Sequence, residues 1–482
     1  MLDSRELNDE KRSCSRKGIS ALITFGWLTF WNSWQFMDFA SVSALGKQIF
    51  HCDDQGLNWL YSASLVAVVV SSIPAIYLLE QHGATGNWSV MAIGTVANVC
   101  GGWLRWFSVA QESYAVALLS SIFLGFAGAA VIVSIVPLAE HNFPKETRTL
   151  ATTVAVQLNY LGWCLSSVVV PANSGTKTEL GSMLYTQAIL ISISLVLFPL
   201  FHQPRPQCMC CGTPAPKDNM NESSNLLHSD NAVVATNALP QSNNAVGLSH
   251  HVGQMVALCR NRAFLVQCVC FAALGGISFA IPAVQDELFL ELGLSQDMTK
   301  WTNLCFLATG VTTGLTIGTI FHQKNIQPTD FYSMFTIRLL FGLCTVSLSG
   351  LAVLASFASD LSNSVVFSIA SVLMCISGGC SLGFVGIALP QAVSVARPVS
   401  EVYSASAVEW MLQIFGVVFA QWCAGAGGSP SPSNSTILSP SSSSSLEPTL
   451  TSHSNGFVIC AASCAAATFG LLFSSTENKL LE

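Results

Sequence analysis

The sequence predicts an all-α integral membrane protein with twelve transmembrane helices in two six-helix halves. Of its 482 residues, 51% are hydrophobic and only 9% are charged, and the mean hydropathy is +0.54. Soluble domains carry about 25% charged residues, so this composition excludes an ordinary soluble protein. Apolar runs that can cross a bilayer, which takes roughly 20 residues, recur along the chain. They lie at 19–45, 58–79, 88–108, 114–139, 149–171, 183–201, 263–284, 300–321, 331–357, 363–391, 402–424 and 455–474.

A polar stretch between the sixth and seventh runs divides the chain. It is rich in Asn, Ser and Pro and has too few apolar residues to bury a core, which predicts disorder. Two six-span halves joined by such a linker are typical of two-half transporters such as the major facilitators. The predicted parts are a cytoplasmic tail (1–17), an N-terminal half (18–202), a disordered cytoplasmic linker (203–262), a C-terminal half (263–474) and a second cytoplasmic tail (475–482).

The distribution of Lys and Arg predicts the orientation. Basic residues are concentrated in the N-terminal tail, the loop between runs four and five, and the linker. By the positive-inside rule both termini are cytoplasmic. The loop after run eleven then faces outward, and Asn434 begins an Asn-Ser-Thr glycosylation acceptor there. The predicted outer loops hold only Lys47, Arg105, Lys177 and Lys300.

The first run contains two residues that predict a binding site. Trp34 and Asp38 are four residues apart and therefore share one face of a helix. An aromatic face beside a carboxylate can hold a small organic cation through the ring quadrupole and the charge. An ionisable side chain inside a span also marks a functional site by default. The alternative is that Asp38 lies near the outer interface and that the tryptophans form an aromatic belt.

A second acidic residue, Glu409, lies in the eleventh run, and Gln413 shares its helix face one turn later. Asp38 and Glu409 therefore place one carboxyl group in each half. A buried carboxyl group can gain and lose a proton during a transport cycle, so both residues are proton-coupling candidates. The alternative is that Glu409 pairs with a basic side chain such as Arg338 and acts as a structural latch.

The remaining motifs indicate sorting rather than catalysis. In the linker, Glu222 precedes Leu226 and Leu227 with the spacing of an acidic dileucine signal. A sorting adaptor is thus a candidate partner, and the candidate locations are the plasma membrane and a lysosomal or endosomal membrane. The sequence shows no phosphate-binding loop, nucleophile elbow, paired catalytic carboxylates or metal-ligand spacing. We therefore expect no enzymatic activity, cofactor, metal or nucleic-acid partner. We also expect the protein to be a monomer in the lipid bilayer.

Several motifs resemble one branch of the major facilitator superfamily, the heme-carrier-related branch. It comprises the feline leukaemia virus subgroup C receptor-related (FLVCR) proteins and the lysosomal disrupted-in-renal-carcinoma protein. The resemblance extends over both halves. The motifs are Trp31-Asn-Ser-Trp34 in run one, Phe143-Pro-Lys-Glu146-Thr-Arg148 and Leu158-Asn-Tyr160-Leu-Gly162 around run five, and Leu412-Gln413-Ile-Phe-Gly416 in run eleven.

The resemblance implies a carrier of a small solute. FLVCR relatives carry choline and ethanolamine, heme has also been proposed, and the lysosomal relative is linked to proton-driven export of pyridoxine. The family's cation site uses aromatic residues of spans one and seven and polar residues of spans five and eleven. It maps here to Trp34, Phe279, Tyr160 and Gln413.

The resemblance also implies gating residues, namely Glu80 and Gly83 after run two, and Glu146 and Arg148 before run five. The loop after run two lacks the family's basic residue, which weakens the expected charge pair. The resulting prediction is an alternating-access carrier of a choline-, ethanolamine- or pyridoxine-like cation, with protons as a second partner. Alternatives are a heme or neutral-vitamin carrier, or a membrane receptor that does not transport.

Overall fold

The computed structural model describes residues 4–201, 248–290, 292–426 and 455–480, and within these ranges the chain is almost entirely helical. Asn434 and the sorting motif at Glu222, Leu226 and Leu227 lie outside them. The helices of the N-terminal half are α1 (Ser4–Met37), α2 (Ser43–Phe50), α3 (Asp54–Ala110), α4 (Tyr114–Asn142), α5 (Lys145–Ala172), α6 (Lys177–Ser192) and α7 (Ser194–Phe201). Those that follow are α8 (Leu248–Arg260), α9 (Arg262–Ala283), α10 (Gln285–Leu290), α11 (Gln296–Gln323), α12 (Phe331–Phe357), α13 (Asn363–Gly383), α14 (Val385–Ala396), α15 (Glu401–Ala426) and α16 (Asn455–Leu480).

Each predicted apolar run falls on one or two of these helices. Nine helical segments within the described ranges are long and apolar enough to cross a membrane. Runs two and three lie in one helix, α3, which is interrupted at Gly83, where φ is 53° and ψ is −123°. Glycine adopts a positive φ at little steric cost, so this residue allows the chain to turn between the two runs.

The predicted disorder of the linker 203–262 is wrong for its last part. Residues Leu248–Arg260 form α8, and Arg262 begins the next helix. Val252, Met255, Val256 and Cys259 recur every three or four residues in α8, so they form one apolar stripe on a short amphipathic helix. The helices also extend into both predicted tails, because α1 begins at Ser4 and α16 continues to Leu480.

Local sequence signals fix the ends of several helices. Asp53 caps α3 by accepting a hydrogen bond from Gly56 N at 2.7 Å. Thr176 and Glu179 form a reciprocal capping box at the start of α6: Glu179 N donates to Thr176 Oγ1 at 3.3 Å, and Thr176 N donates to Glu179 Oε2 at 3.0 Å. Such caps satisfy backbone N–H groups that have no partner within the helix.

Two glycines bring α5 close to its neighbours. A Cβ atom on Gly162 of α5 would lie 2.3 Å from the carbonyl oxygen of Phe30 in α1. On the other side, a Cβ atom on Gly314 of α11 would lie 2.0 Å from Gln157 Nε2 of α5. Small residues allow such close approach of helices in lipid. The two halves meet mainly where α5 packs against α11 and α3 packs against α15.

Candidate functional site

A narrow cavity of about 30 Å³ lies between the two halves. This volume holds about two water molecules. The C-terminal half contributes Phe279 and Gln413 to its wall, and none of the lining residues carries a formal charge. The residues from the N-terminal half are Asn32, Ser33, Phe36, Leu65, Val68, Gly128, Val131, Ile132, Asn159 and Trp163.

Three aromatic rings cluster at this cavity. The Trp163 ring meets Phe279 edge-on at a centroid distance of 5.1 Å and an interplanar angle of 81°. Tyr160 lies 5.5 Å from Trp163 and 6.4 Å from Phe279. Tyr61 of α3 holds this part of α9 by donating its hydroxyl to the carbonyl of Phe279 at 2.9 Å. The structure thus brings Tyr160 and Phe279 together. It also places the ring of Trp163 beside them, and Trp163, three residues after Tyr160, was not among the predicted site residues.

Amide groups supply the polar part of the wall. Asn159 Oδ1 accepts hydrogen bonds from Thr29 Oγ1 at 3.2 Å and from the Ser33 hydroxyl, which joins α5 to α1. Gln413 is 4% exposed, and its Oε1 has no hydrogen-bond partner within the described residues. The sequence analysis missed Asn159, whose signal was its place between Leu158 and Tyr160 in the family-like motif of α5.

Trp34 does not line this cavity. It contributes with Trp31 and Gln187 to a second, more open cavity of about 540 Å³ between α1, α5 and α6. Its ring lies 5.3 Å from Trp31 and 5.6 Å from Phe30. The structure therefore separates Trp34 from Phe279, although the sequence analysis placed them in one site.

Asp38 pairs with a basic side chain inside the N-terminal half. Arg105 Nη1 lies 3.9 Å from Asp38 Oδ2, and the two side chains are 2% and 0% exposed. The placement of Arg105 in an outer loop is therefore wrong, because Arg105 is buried within α3. The signal was available, since Arg105 lies inside the apolar run 88–108 and an acid in a neighbouring span is the usual partner for such a charge.

Further contacts hold the pair in place. Gln187 Nε2 of α6 donates to Asp38 Oδ1 at 3.5 Å, and Arg105 Nη2 donates to Ser121 Oγ of α4 at 3.4 Å. The guanidinium carbon of Arg105 also lies 4.5 Å from the centroid of the Phe39 ring. Four elements of one half therefore surround the pair.

Three amide side chains of the N-terminal half are joined by hydrogen bonds. Asn98 Oδ1 of α3 accepts from both Asn32 Nδ2 and Gln35 Nε2 of α1, each at 3.0 Å. Asn32 also lines the cavity, whereas Gln35 is fully buried one turn further along α1, toward Asp38. A polar connection thus runs through the apolar interior of the N-terminal half.

Glu409 is buried in α15, close to Tyr160. It is 5% exposed, and it lies close enough to Tyr160 for a charge interaction. Within the described residues it forms no ion pair with Arg338 or any other basic side chain. The described contacts therefore lend no support to the structural latch that the sequence analysis offered as an alternative.

A sequence model described as Major Facilitator Superfamily matches residues 19–421 of the chain. The chain belongs to the Major Facilitator Superfamily. It is therefore an integral, multi-pass membrane protein with a transporter fold rather than an enzyme fold.

Among curated relatives, the chain is 22% identical over 423 residues to the Choline/ethanolamine transporter FLVCR1 of Mus musculus, covering 85% of this chain and 70% of that protein. It is 22% identical over 389 residues to Solute carrier family 49 member A3 of Danio rerio, covering 78% and 72%. These relatives confirm the predicted resemblance. A crystal structure of a single-residue variant of the E. coli fucose:proton symporter FucP aligns with a TM-score of 0.57 at 13% identity, covering 95% of this chain and 98% of that one. That likeness confirms the fold.

The superfamily fold brings the predicted gating residues to the ends of the helices on the predicted cytoplasmic side. Glu80 accepts a hydrogen bond from the Ser400 hydroxyl at the start of α15, which joins the halves there. Arg148 Nη1 lies 3.6 Å from Glu140 Oε1, and Glu140 in turn meets Glu401. The sequence analysis missed Glu140. The side chain of Glu146 lies outside the described residues.

On the predicted outer side, other contacts join the two halves of the protein. The Ser43 hydroxyl donates to Asp286 Oδ2, and Gln421 Nε2 of α15 donates to Ser62 Oγ of α3 at 2.7 Å. The central cavity thus lies between two sets of contacts that bridge the halves. Reaching it from either side requires one of these sets to break.

Proposed function

We propose that the protein is an alternating-access carrier of a small organic cation of the choline or ethanolamine kind, with proton coupling through Asp38. The observation that supports this most is the cavity that both halves line with aromatic rings and neutral amides. The relatives that share most of the chain's length include a protein named as a choline/ethanolamine transporter.

The chemistry of the wall suits a cation with a diffuse charge. Phe279 and Trp163 line the wall with aromatic rings, and Tyr160 packs against both of them. The faces of such rings attract cations, and quaternary ammonium groups are recognised in this way in many proteins. Gln413 and Asn159 provide amide groups for a hydroxyl or amine at the other end of such a substrate. An ammonium group with a two-carbon hydroxyl arm, primary as in ethanolamine or quaternary as in choline, satisfies both requirements.

The size of the cavity supports alternating access. A volume of about 30 Å³ is too small for choline, so the substrate enters only when the halves separate on one side. The contacts Glu80–Ser400 and Ser43–Asp286 lie at opposite ends of the interface and would break in alternation. This narrow conformation then lies between the two open ones.

The proton role of Asp38 rests on its position. Its carboxylate is paired with Arg105 and does not line the central cavity, so its contacts favour coupling over direct substrate binding. The hydrogen-bonded amides of Gln35, Asn98 and Asn32 lie along α1 and α3 in the same half, and Asn32 lines the central cavity. Protonation of Asp38 would leave Arg105 without its charge partner. Glu409, next to Tyr160, is the second proton candidate.

The finer topology belongs to the same proposal. We take the twelve apolar runs as twelve spans, with both termini and α8 on the cytoplasmic side. We take the protein as a monomer in the plasma membrane or a lysosomal or endosomal membrane. Glycosylation at Asn434 would verify the outward position of the loop before α16.

The test is uptake of radiolabelled choline and pyridoxine, side by side, in cells that express the protein on their surface, at neutral and acidic external pH. We expect choline uptake that Phe279→Ala weakens by raising the KM and whose proton dependence Asp38→Asn removes. Acid-stimulated pyridoxine uptake without choline uptake would instead identify a proton-coupled vitamin carrier. Binding without flux of either substrate would contradict the proposal and favour a receptor.

A further inference from the structure

A cavity of about 370 Å³ lies far from the central one, where α8 runs beside α3 and α15 near the predicted cytoplasmic side. Its wall is apolar over most of its area, with Ile73 of α3, Val256 of α8 and Trp410 of α15. Ile73 is 61% exposed, Val252 55% and Val256 41%. In a membrane protein, exposed apolar side chains at this position face lipid, so the cavity opens sideways into the bilayer.

The side chain of His251 is built into this wall. It is only 7% exposed, and its ring lies 4.6 Å from that of Tyr77 in α3. Its Nδ1 is hydrogen-bonded to the hydroxyl of Tyr403 in α15. Its Nε2 is buried and has no hydrogen-bond partner among the described residues. A buried polar atom without a hydrogen-bond partner destabilises the protein, and a ligand group that pairs with it removes that cost.

The chemistry of His251 selects the ligand group. If the Tyr403 hydroxyl donates to Nδ1, neutral histidine carries its hydrogen on Nε2 and offers a donor; if Nδ1 donates, Nε2 is an acceptor. A hydroxyl group is both donor and acceptor, so it satisfies Nε2 in either case. Two other polar side chains of the wall are engaged, since Ser72 Oγ donates to Val68 O at 2.7 Å and Trp410 Nε1 donates to Val69 O at 2.8 Å.

We propose that this cavity binds a membrane sterol, with the sterol hydroxyl on His251 Nε2 and the ring system against α3, α8 and α15. A sterol has one hydroxyl and an otherwise apolar rigid body, which matches the buried, unpartnered His251 Nε2 in a largely apolar wall. A glycerolipid brings ester groups as well, and the engaged Ser72 and Trp410 leave these without partners.

The site has a consequence for the transport cycle. Its wall comes from α3 of the N-terminal half and from α8 and α15 of the C-terminal half. A rigid ligand that contacts both halves favours the conformation in which they are close on this side. Bound sterol therefore stabilises the state that is closed to the cytoplasm and slows turnover. This inference stands independently of the substrate in the central cavity.

The experiment uses the full chain in lipid nanodiscs with a cholesterol analogue that carries a photoreactive diazirine, followed by mass mapping of the labelled peptides. We expect label on α8 or on the segment from Tyr403 to Trp410, and competition by unmodified cholesterol. His251→Phe keeps an aromatic ring against Tyr77 but removes both nitrogens, so it should lower labelling about 3- to 10-fold, the effect of one hydrogen bond. The matched control is His250→Phe, at the exposed neighbour on α8, which should label as the wild type.

A second variant, Val256→Trp, tests the cavity independently in case His251→Phe misfolds. Val256→Trp fills the cavity from its exposed rim and should abolish labelling there. The proposal is overturned if both variants label as the wild type does, if the label maps to other helices only, or if diacylglycerol competes and cholesterol does not.

Discussion

Arg105 and Asp38 form an ion pair in the interior of the N-terminal half, with 3.9 Å between Arg105 Nη1 and Asp38 Oδ2. Asp38 directly follows α1 and Arg105 lies in α3, so the pair joins these two helices. Both charges lose their hydration on burial, and their mutual attraction offsets that loss only while both are present. The pair is thus a sensitive point for stability as well as a candidate for coupling.

Arg105→Gln should lower the free energy of unfolding by about 3–5 kcal/mol, because it leaves the Asp38 carboxylate buried and unpaired. The double variant Asp38→Asn/Arg105→Gln should recover most of this loss, since it removes both charges. Unfolding by denaturant in mixed micelles measures the effect. The control is Lys47→Gln, which breaks the exposed pair with Asp54 and should change stability by less than about 1 kcal/mol. Equal losses for Arg105→Gln and Lys47→Gln would contradict the role of burial.

Phe279→Ala should raise the KM for choline about 5- to 30-fold, because one desolvated cation–π contact contributes about 1–2 kcal/mol. Phe279→Trp should retain transport, since it keeps an aromatic face in the cavity. Concentration-dependent uptake of radiolabelled choline measures both. Phe126→Ala, at a ring on α4 that is 39% exposed, serves as the control and should have little effect. An unchanged KM in Phe279→Ala would remove this ring from the substrate site.

Gly162→Ala should destabilise the protein by about 1–3 kcal/mol, because its methyl group would meet the backbone carbonyl of Phe30 and push α5 away from α1. Gly342→Ala is the matched control, since no atom lies within 4 Å of the Cβ position there. It should be neutral or stabilise by up to about 1 kcal/mol, because alanine favours a helix. Thermal unfolding of the purified variants gives the comparison, and a smaller loss at Gly162 than at Gly342 would refute it.

Ser400→Ala removes the contact with Glu80 and should open the cytoplasmic side more often. The reporter is Ser33→Cys, a near-isosteric change in the wall of the central cavity. In inside-out vesicles, an impermeant thiol reagent should label this cysteine faster when Ser400→Ala is present. Protein without Ser33→Cys gives the background labelling. The same rate in both proteins would show that Glu80 and Ser400 do not restrain the gate.

Outer opening should depend on pH through Asp286, which precedes α11 and lies outside the spanning helices. Burial raises the pKa of Asp286 above its usual value, and the nearby charge of Asp54 raises it further. The hydrogen bond from Ser43 and the positive charges of Lys47 and Lys300 lower the pKa, but the net shift is upward. A carboxyl whose pKa is raised in the closed state binds its proton more tightly there. Acid therefore stabilises the outer contact, and this stabilisation is lost as the pH rises through the raised pKa.

The measurement is labelling of Ser33→Cys from the outer side as a function of pH. We expect slower labelling in acid, and Asp286→Asn should abolish that dependence without changing the rate of labelling of other cysteines. A pH dependence that persists in Asp286→Asn would assign it to another group.

Composition and apolar run length were enough to predict the helices, because membrane spans must be long, apolar and helical. Glu409 and Gln413 both lie in α15, four residues apart, and Gln413 lines the central cavity. What the sequence could not supply was the rotation of α1. Trp34 and Phe36 lie two residues apart, yet Phe36 faces the central cavity and Trp34 faces another. Packing against α5 through Gly162 decides that rotation, and local spacing carries no information about it.

The pairing of Asp38 with Arg105 was predictable in kind but not in detail. Opposite charges in two spans of one half indicate a pair, although 67 positions separate them in the sequence. The apolar stripe of α8 is present in the sequence as well. The polar residues around it led to the prediction of a disordered linker instead of a helix. Trp163 and Asn159 could be assigned to the cavity only from the three-dimensional structure, because Phe279, which lies near them, comes from the other half of the chain.

The break at Gly83 has a consequence for biogenesis. Because α3 turns at a single residue, its two apolar segments form a helical hairpin with almost no connecting loop. We expect the ribosome-bound chain to insert both segments into the bilayer together rather than one after the other. A side chain at position 83 would disfavour the positive φ, so Gly83→Val should yield misinserted protein that is degraded early, before any effect on the finished molecule could be measured.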